Sequence, residues 1–279
     1  MICLTWGCKQ ERAISTNDAN AAGLTSTPVT NIVSLDYCAD QYLLELASPH
    51  QITALSQDSQ RSFSYHRQRA KDYPSVRPLV EDVLQLKPQV VIRTYGGGPN
   101  AQQMFERAGV DVINIGFTNT IAQIQETTIE VAKALGVPAK GEFVVARMQQ
   151  QLKQIKTSNK NNNALYVTPS GVTSGPGSLV HEILVAAGLK NYVRKPGWHP
   201  IPLEQMVYKN PNLIATAFYE SDNNQRNAWT LTNHPVAQNI FSNTNLVPVQ
   251  GAWTACGGWF VVDAIAALAR QAQGSPSNL

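Results

Sequence analysis

The amino-acid sequence predicts an α/β protein of two similar lobes, each with a mostly parallel central sheet, and with a ligand cleft between the lobes. Two observations favour this fold class. Short apolar segments typical of buried parallel strands alternate along the chain with segments of helical character. One pattern also occurs twice, because a Glu stands seven residues before a Pro at Glu81 and Pro88 and again at Glu204 and Pro211. Such a repeat indicates two lobes of the same kind.

Each copy of the pattern predicts a short helix followed by a strand. The residue before a proline disfavours the α conformation, so the helix ends there. The apolar run after the proline, Val90 to Ile92 or Leu213 to Ala215, is typical of a buried strand. An aromatic residue follows each run, and Tyr95 is the first of them.

The remaining elements are predicted from periodicity, caps and breakers. Asp40 is the predicted N-cap of the first helix. The predicted strands are 31–35, 52–56, 110–115, 164–168 and 246–249; the predicted helices are 41–47, 101–108, 121–135, 140–157, 178–187, 233–240 and 260–271, with a loop at 169–177. The predicted organisation is a signal or lipoprotein remnant and disordered linker at 1–28, an N-terminal lobe at 29–138, a connecting helix and linker at 139–162, and a C-terminal lobe at 163–279.

Composition bounds the function and the location. A formal net charge of +3 over 279 residues does not indicate a nucleic-acid partner. No apolar run approaches the ~20 residues of a membrane span. The apolar start that ends at Gly7 and Cys8 resembles the tail of a bacterial lipoprotein signal, so we expect a start codon further upstream and a periplasmic or lipid-anchored outer-face protein. Whether Cys8 carries a lipid stays open.

The loops that follow the predicted strands are the candidates for a ligand site. In parallel sheets, ligands bind outside the carboxyl ends of the strands. These loops are rich in aromatics and glycine and poor in carboxylates, and they comprise 36–40, 93–98, 169–177, 217–219 and 253–259. Such loops suit a bulky organic molecule. The five histidines are scattered, so we expect no metal held directly by the protein and no resident cofactor.

Four segments resemble, in order and spacing, the substrate-binding proteins of bacterial ABC importers for ferric siderophores, haem and cobalamin. They are 32–41, 81–91, 173–178 and the block that holds Trp198, Glu204 and Pro211. The resemblance implies one long rigid helix between the lobes, here about 139–157. It also implies a monomeric, non-enzymatic receptor that delivers a metal-bearing organic chelate to the importer permease. A ferric siderophore is the favoured chelate, with cobalamin and haem as alternatives, and the chelate brings its own metal.

The resemblance further assigns site residues. Tyr95 and Trp198 match ligand-facing aromatics of similar proteins, and Glu81 and Glu204 match acidic residues that dock onto basic residues of the permease. Arg93, with Arg61, Arg67 and Arg69, could meet an anionic chelate. Tyr37, Tyr219 and Trp253 are expected at the ligand from their loop position alone. The full set expected there is Tyr37, Cys38, Arg93, Tyr95, Gly96, Ser174, Trp198, Tyr219 and Trp253.

Two questions stay open at the level of sequence. Cys38 and Cys256 both fall in cleft-facing loops, where either a disulfide or two thiols near the ligand would fit. A two-lobed α/β enzyme, such as a metal chelatase or a hydrolase, is the second function class. The segment from Gly175 to Ser178 could hold a phosphate, although it lacks the Lys of a P-loop and is not a Gly-x-Ser-x-Gly elbow.

Overall fold

The computed structural model describes residues 29–158, 162–168, 170–217 and 234–273. The strands are β1 (Ile32–Ser34), β2 (Ile52–Ser56), β3 (Ser75–Val76), β4 (Val90–Arg93), β5 (Asp111–Asn114), β6 (Asn163–Val167), β7 (Val172–Ser174), β8 (Lys190–Asn191), β9 (Trp198–Pro200), β10 (Leu213–Thr216) and β11 (Asn245–Pro248). The helices are α1 (Tyr37–Leu46), α2 (Val80–Gln85), α3 (Ala101–Arg107), α4 (Ile121–Ala134), α5 (Pro138–Gln154), α6 (Leu179–Ala186), α7 (Leu203–Tyr208), α8 (Pro235–Ser242), α9 (Gly251–Thr254) and α10 (Val261–Ala272). None of the helices among these residues has the length and apolar character needed to cross a bilayer.

Two parallel sheets form the framework, which confirms the predicted α/β class. The first sheet has the strand order β3-β2-β1-β4-β5 and the second has the order β11-β10-β6-β8. The strands that follow the repeated pattern, β4 and β10, each lie inside a sheet with a neighbour on both sides. A strand covered in this way must be apolar on both faces, which is why both runs lack polar alternation.

One hydrophobic core extends through both lobes. Alternate residues of a strand point to opposite faces, so Ile92 of β4 and Ala215 of β10 enter the shared core. Their neighbours Val91 and Ile214 enter two smaller clusters on the outer faces of the two sheets. The lobes are therefore packed against each other through apolar side chains.

The first helix differs from the prediction in its start and in its cap. Asp36 is the N-cap of α1, since its Oδ1 accepts a hydrogen bond from the Ala39 amide at 3.0 Å. Asp40, the predicted cap, is fully buried and accepts from the amide and hydroxyl of Ser56 at 3.0 and 2.6 Å. The prediction was wrong because both Asp residues suit a cap, and only the tertiary contact with β2 distinguishes them.

The predicted loop at 169–177 contains a strand. β7 pairs antiparallel with β9, so that Ser174 lies opposite Trp198. The side-chain amide of Asn191 donates to the Ser174 carbonyl at 2.8 Å and fixes this small ribbon to the second sheet. The ribbon places Trp198 at the edge of the cleft described next.

Candidate functional site

A cleft of about 290 Å³ lies between the loops at the carboxyl ends of the two sheets. Its wall comes from both lobes and includes no Asp, Glu, Lys or Arg among the described residues. The polar groups are hydroxyls and one amide, which belong to Thr94, Thr118, Asn119, Ser178 and Thr254. The aromatic residues of the wall are Tyr37, Tyr42, Tyr95, Phe117, Tyr166 and Trp198.

Three of these aromatic side chains present open faces. Phe117 is 75% exposed, Trp198 is 58% exposed and Tyr95 is 44% exposed, which is unusual for large apolar groups in a well-packed protein. The Tyr95 and Phe117 rings are parallel, with an interplanar angle of 2° and centroids 6.4 Å apart. The Tyr37 ring meets the Tyr95 ring edge-on at 6.2 Å. This arrangement suits contact with a flat or apolar ligand surface.

The Tyr95 phenol keeps its proton in this environment. Burial, and then the nearby Tyr37 and Asp36, raise the pKa of Tyr95 above its ordinary value. At neutral pH the hydroxyl is therefore neutral, and it lies within hydrogen-bonding reach of Tyr37.

A second groove, of about 410 Å³, lies between α5 and α10. Lys156, Asp263 and Arg270 line it together with apolar and amide side chains. Its lining residues lie on or next to these two helices and not in the loops after the strands, where parallel sheets bind ligands, and none of them is aromatic. The cleft between the sheets is the better candidate site.

Of the nine residues expected at the ligand, four line the cleft: Tyr37, Cys38, Tyr95 and Trp198. Trp253 packs against the shared core and does not line it. Ser174 is fully buried in β7, with its hydroxyl 3.4 Å from the Gly197 carbonyl. Tyr219 lies outside the described residues.

Arg93 and Gly96 shape the loop that carries Tyr95 and do not line the cleft. The Arg93 guanidinium donates to the carbonyls of Gly96 at 2.7 Å, Gly98 at 3.1 Å and Tyr95 at 3.2 Å. A Cβ at Gly96 would lie 2.4 Å from the Leu35 carbonyl oxygen, so only glycine fits there. The structure thus gives Arg93 a backbone partner in place of the expected anionic ligand.

The other three arginines expected to meet an anionic chelate are also engaged away from the cleft. Arg61 lies 3.5 Å from Asp58, and Arg69 donates to the Leu44 carbonyl beside Glu45. Arg67 donates to the Ser64 carbonyl at 3.5 Å. Because none of them lines the cleft, the expectation of an arginine-bound anion finds no support in this arrangement.

Cys38 and Cys256 form a disulfide at the wall of the cleft. Their Cα atoms are 5.5 Å apart although 218 residues separate them in sequence. Beside the disulfide, the Tyr42 hydroxyl donates to the Gly257 carbonyl at 2.9 Å. The segment that follows β11 is therefore fixed to the first helix of the N-terminal lobe by a covalent bond and a hydrogen bond.

Phe117 and Thr118 are site residues that the sequence analysis missed. They lie in the loop after β5, at the same sheet edge as the loop of Tyr95. Ligands bind at the carboxyl ends of parallel strands, and this rule pointed to Tyr95. It applies equally to the loop after the predicted strand at 110–115, so the sequence did contain a signal for these two residues. Tyr166, inside β6, gave no such signal.

Among the described residues, no group of three or more His, Cys, Asp or Glu side chains could hold a metal ion.

Comparison with known proteins identifies the fold and the family. Residues 32–242 match the family described as "Periplasmic binding protein" (Peripla_BP_2). The "Uncharacterized ABC transporter substrate-binding lipoprotein YvrC" of Bacillus subtilis (strain 168) is 25% identical over 150 residues, 49% of this chain and 48% of that protein. The chain thus aligns with about half the length of this curated relative.

Two solved structures show the same fold over most of their length. A periplasmic haem-binding protein from Pseudomonas aeruginosa has a TM-score of 0.67 at 21% identity, over 90% of this chain and 95% of that one. The periplasmic vitamin B12 binding protein BtuF of Vibrio cholerae has a TM-score of 0.63 at 18% identity, over 88% of this chain and 98% of that one. These two structures show the fold, and the family match over residues 32–242 shows that the chain belongs to the periplasmic binding protein family, a family of transport components and not of enzymes.

Proposed function

We propose that this chain is the extracytoplasmic substrate-binding protein of an ABC importer and that it captures a metal-bearing organic chelate in the cleft between its sheets. The observation that carries the proposal is the wall of this cleft, which is aromatic and free of charged side chains among the described residues. The free-energy cost of removing water from such a wall is small, and its aromatic faces and hydroxyls can contact a large ligand. The haem and vitamin B12 binders with the same fold support this ligand class.

Within this class, the cleft favours a chelate with a broad apolar or π face over a polyanionic one. A catecholate or carboxylate siderophore needs guanidinium or ammonium partners, and the four candidate arginines point elsewhere. Haem, cobalamin and a neutral ferric siderophore need no such partner for their main contact surface. The metal arrives with the chelate as cargo.

The proposed receptor moves little when it binds. The shared hydrophobic core and the Cys38–Cys256 disulfide both fasten the lobes to each other. Helix α5, with 17 residues, follows the last strand of the first sheet and precedes the first strand of the second, and it packs against α4 and α10. We propose that α5 is the rigid connector expected from the sequence, and that closure is limited to small loop and side-chain movements.

We also propose that Glu81 and Glu204 dock the protein onto basic residues of the permease. Both side chains are exposed, and each lies in the first turn of the short helix that precedes an inner strand, α2 before β4 and α7 before β10. Exposed apolar residues occur close to them in sequence, Leu79 on one lobe and Tyr208 on the other. Two like charges at matching positions would steer a two-fold partner of opposite charge.

Titration of the purified protein tests the ligand class. Haem would be followed by its absorption, and cyanocobalamin, ferrichrome (a neutral trishydroxamate) and ferric enterobactin (an anionic triscatecholate) by quenching of tryptophan fluorescence. We expect at least one of the first three to bind below about 10 μM, roughly −7 kcal/mol, and at least tenfold more tightly than ferric enterobactin. If none of the four binds below about 10 μM, the proposal fails.

Two variants locate the site within the same assay. We expect Trp198→Ala to weaken binding about tenfold or more, because its exposed indole ring is a cleft wall. Tyr208→Ala removes an aromatic ring that is even more exposed but lies away from the cleft, so its affinity should stay within about twofold. Equal losses in both variants would show that binding occurs elsewhere.

A further inference from the structure

We propose that Asp36 is a positioning residue for the ligand site, and that it acts with Arg93 to hold the Tyr95 loop (residues 94–98) in its binding conformation. This inference rests on the proposed function of the cleft. It concerns two charged residues that lie outside the cleft wall and that contact the loop through its backbone.

The Asp36 carboxylate binds two segments at once. Its Oδ1 caps α1 through the Ala39 amide at 3.0 Å. Its Oδ2 accepts from the consecutive amides of Thr94, Tyr95 and Gly96 at 2.7, 3.0 and 2.9 Å. A cap requires only the first of these bonds. Hydrogen bonds to an ionised acceptor are roughly twice as strong as neutral ones, so the three further bonds hold the loop firmly.

Arg93 binds the same loop from its acceptor side. Its guanidinium donates to the carbonyls of Tyr95, Gly96 and Gly98, while Asp36 accepts from the amides. Asp36 is 3% exposed and Arg93 is 9% exposed, so solvent does not compete strongly for either group. A short loop whose donors meet an anion and whose acceptors meet a cation has little freedom left to change conformation.

The loop matters for ligand binding because of what it carries. The Asp36 carboxylate accepts from the amide of Tyr95 itself, and it caps the helix whose first residue is Tyr37, so one carboxylate helps to position two cleft aromatics. Their rings meet at 6.2 Å, and the Tyr95 ring is parallel to Phe117. Fixing the rings before the ligand arrives removes the entropy loss that ordering them on binding would otherwise impose.

The test separates the two roles of Asp36. Asp36→Ser keeps a short side-chain acceptor that can cap α1, but it cannot accept from the three loop amides. Arg93→Met removes the donors to the loop carbonyls and leaves α1 untouched. Asp40→Asn is the matched control, because Asp40 is also buried on α1 and binds Ser56 instead of the loop.

Two measurements on the full chain decide the outcome. Amide hydrogen exchange without ligand should show at least tenfold less protection at residues 94–96 in Asp36→Ser and Arg93→Met, with protection in α1 and β1 retained. Titration with whichever of haem, cyanocobalamin and ferrichrome binds the unmodified protein should show at least tenfold weaker binding in both variants. The Asp40→Asn control should stay within about twofold of the unmodified protein in both measurements.

Several results would overturn the inference. Undiminished protection of residues 94–96 in Asp36→Ser and Arg93→Met would show that the two charges do not hold the loop. Lost protection with unchanged affinity would show that the loop conformation does not matter for binding. If none of haem, cyanocobalamin, ferrichrome and ferric enterobactin binds the unmodified protein, the proposed function falls, and the exchange measurement still decides whether Asp36 and Arg93 fix the loop.

Discussion

Removal of the Cys38–Cys256 disulfide should lower the stability of this protein by several kcal/mol. The two Cα atoms lie 5.5 Å apart across 218 residues, so the bond closes most of the described chain into one loop. The loop-closure relation gives about 5 kcal/mol for a loop of this length, and native disulfides typically contribute about 2–5 kcal/mol. We expect the double variant Cys38→Ser with Cys256→Ser to lose about 3–5 kcal/mol of unfolding free energy.

Urea unfolding followed by tryptophan fluorescence measures this loss. Both proteins would carry Cys3→Ser and Cys8→Ser, so that no other thiol can exchange with the pair. A reductant should lower the stability of the parent to that of the double variant and should leave the double variant unchanged. A difference below about 1 kcal/mol, or a parent that does not respond to complete reduction, would refute the reasoning that this bond restricts the unfolded chain.

Three further predictions follow from named contacts. Burial raises the pKa of the Asp40 carboxyl to about 7 from 3.8, so the folded state binds this proton more tightly than the unfolded state. Stability is lost as the pH rises through the folded pKa, and we expect the free energy of unfolding to fall by about 2–3 kcal/mol between about pH 5 and pH 8. Asp40→Asn should remove this fall. If urea unfolding gives the same pH dependence of stability for the variant and the unmodified protein, the prediction is contradicted. Gly257→Ala should destabilise the protein by about 1–3 kcal/mol in the same assay, because its Cβ would lie 1.7 Å from the Thr118 hydroxyl; unchanged stability would mean that Thr118 moves freely. Glu81→Ala with Glu204→Ala should abolish chelate uptake by cells while leaving affinity within about twofold, and a loss of affinity would count against docking.

The framework could be predicted from the sequence because it depends on local rules. An apolar run after a proline has few alternatives to an inner parallel strand, and both β4 and β10 take that position. The segments after β1 and β4 were therefore sound places to look for the cleft residues Tyr37 and Tyr95. β7 and β9 escaped prediction because their three residues, Val172–Ser174 and Trp198–Pro200, contain no apolar run like the one that identified β1.

The roles of charged residues could not be predicted, because long-range contacts decide them. Arg93 is as well suited to an anionic ligand as to backbone carbonyls, and only the path of the loop determines which group it meets. Asp36 and Asp40 are equally good helix caps, and the loop amides select the first while Ser56 takes the second. Sequence placed these residues near the site but could not assign their partners.

The first turn of α2 and the Tyr95 loop share one edge of the first sheet, since a Cβ at Gly97 would lie 3.8 Å from the Pro78 carbonyl oxygen. A permease that binds Glu81 would therefore lie over the mouth of the cleft. Ligand loading and release would then use one opening, and the occupant of the cleft would form part of the surface that the permease meets. If the bound chelate changes the affinity for the permease by some factor, the bound permease changes the affinity for the chelate by the same factor.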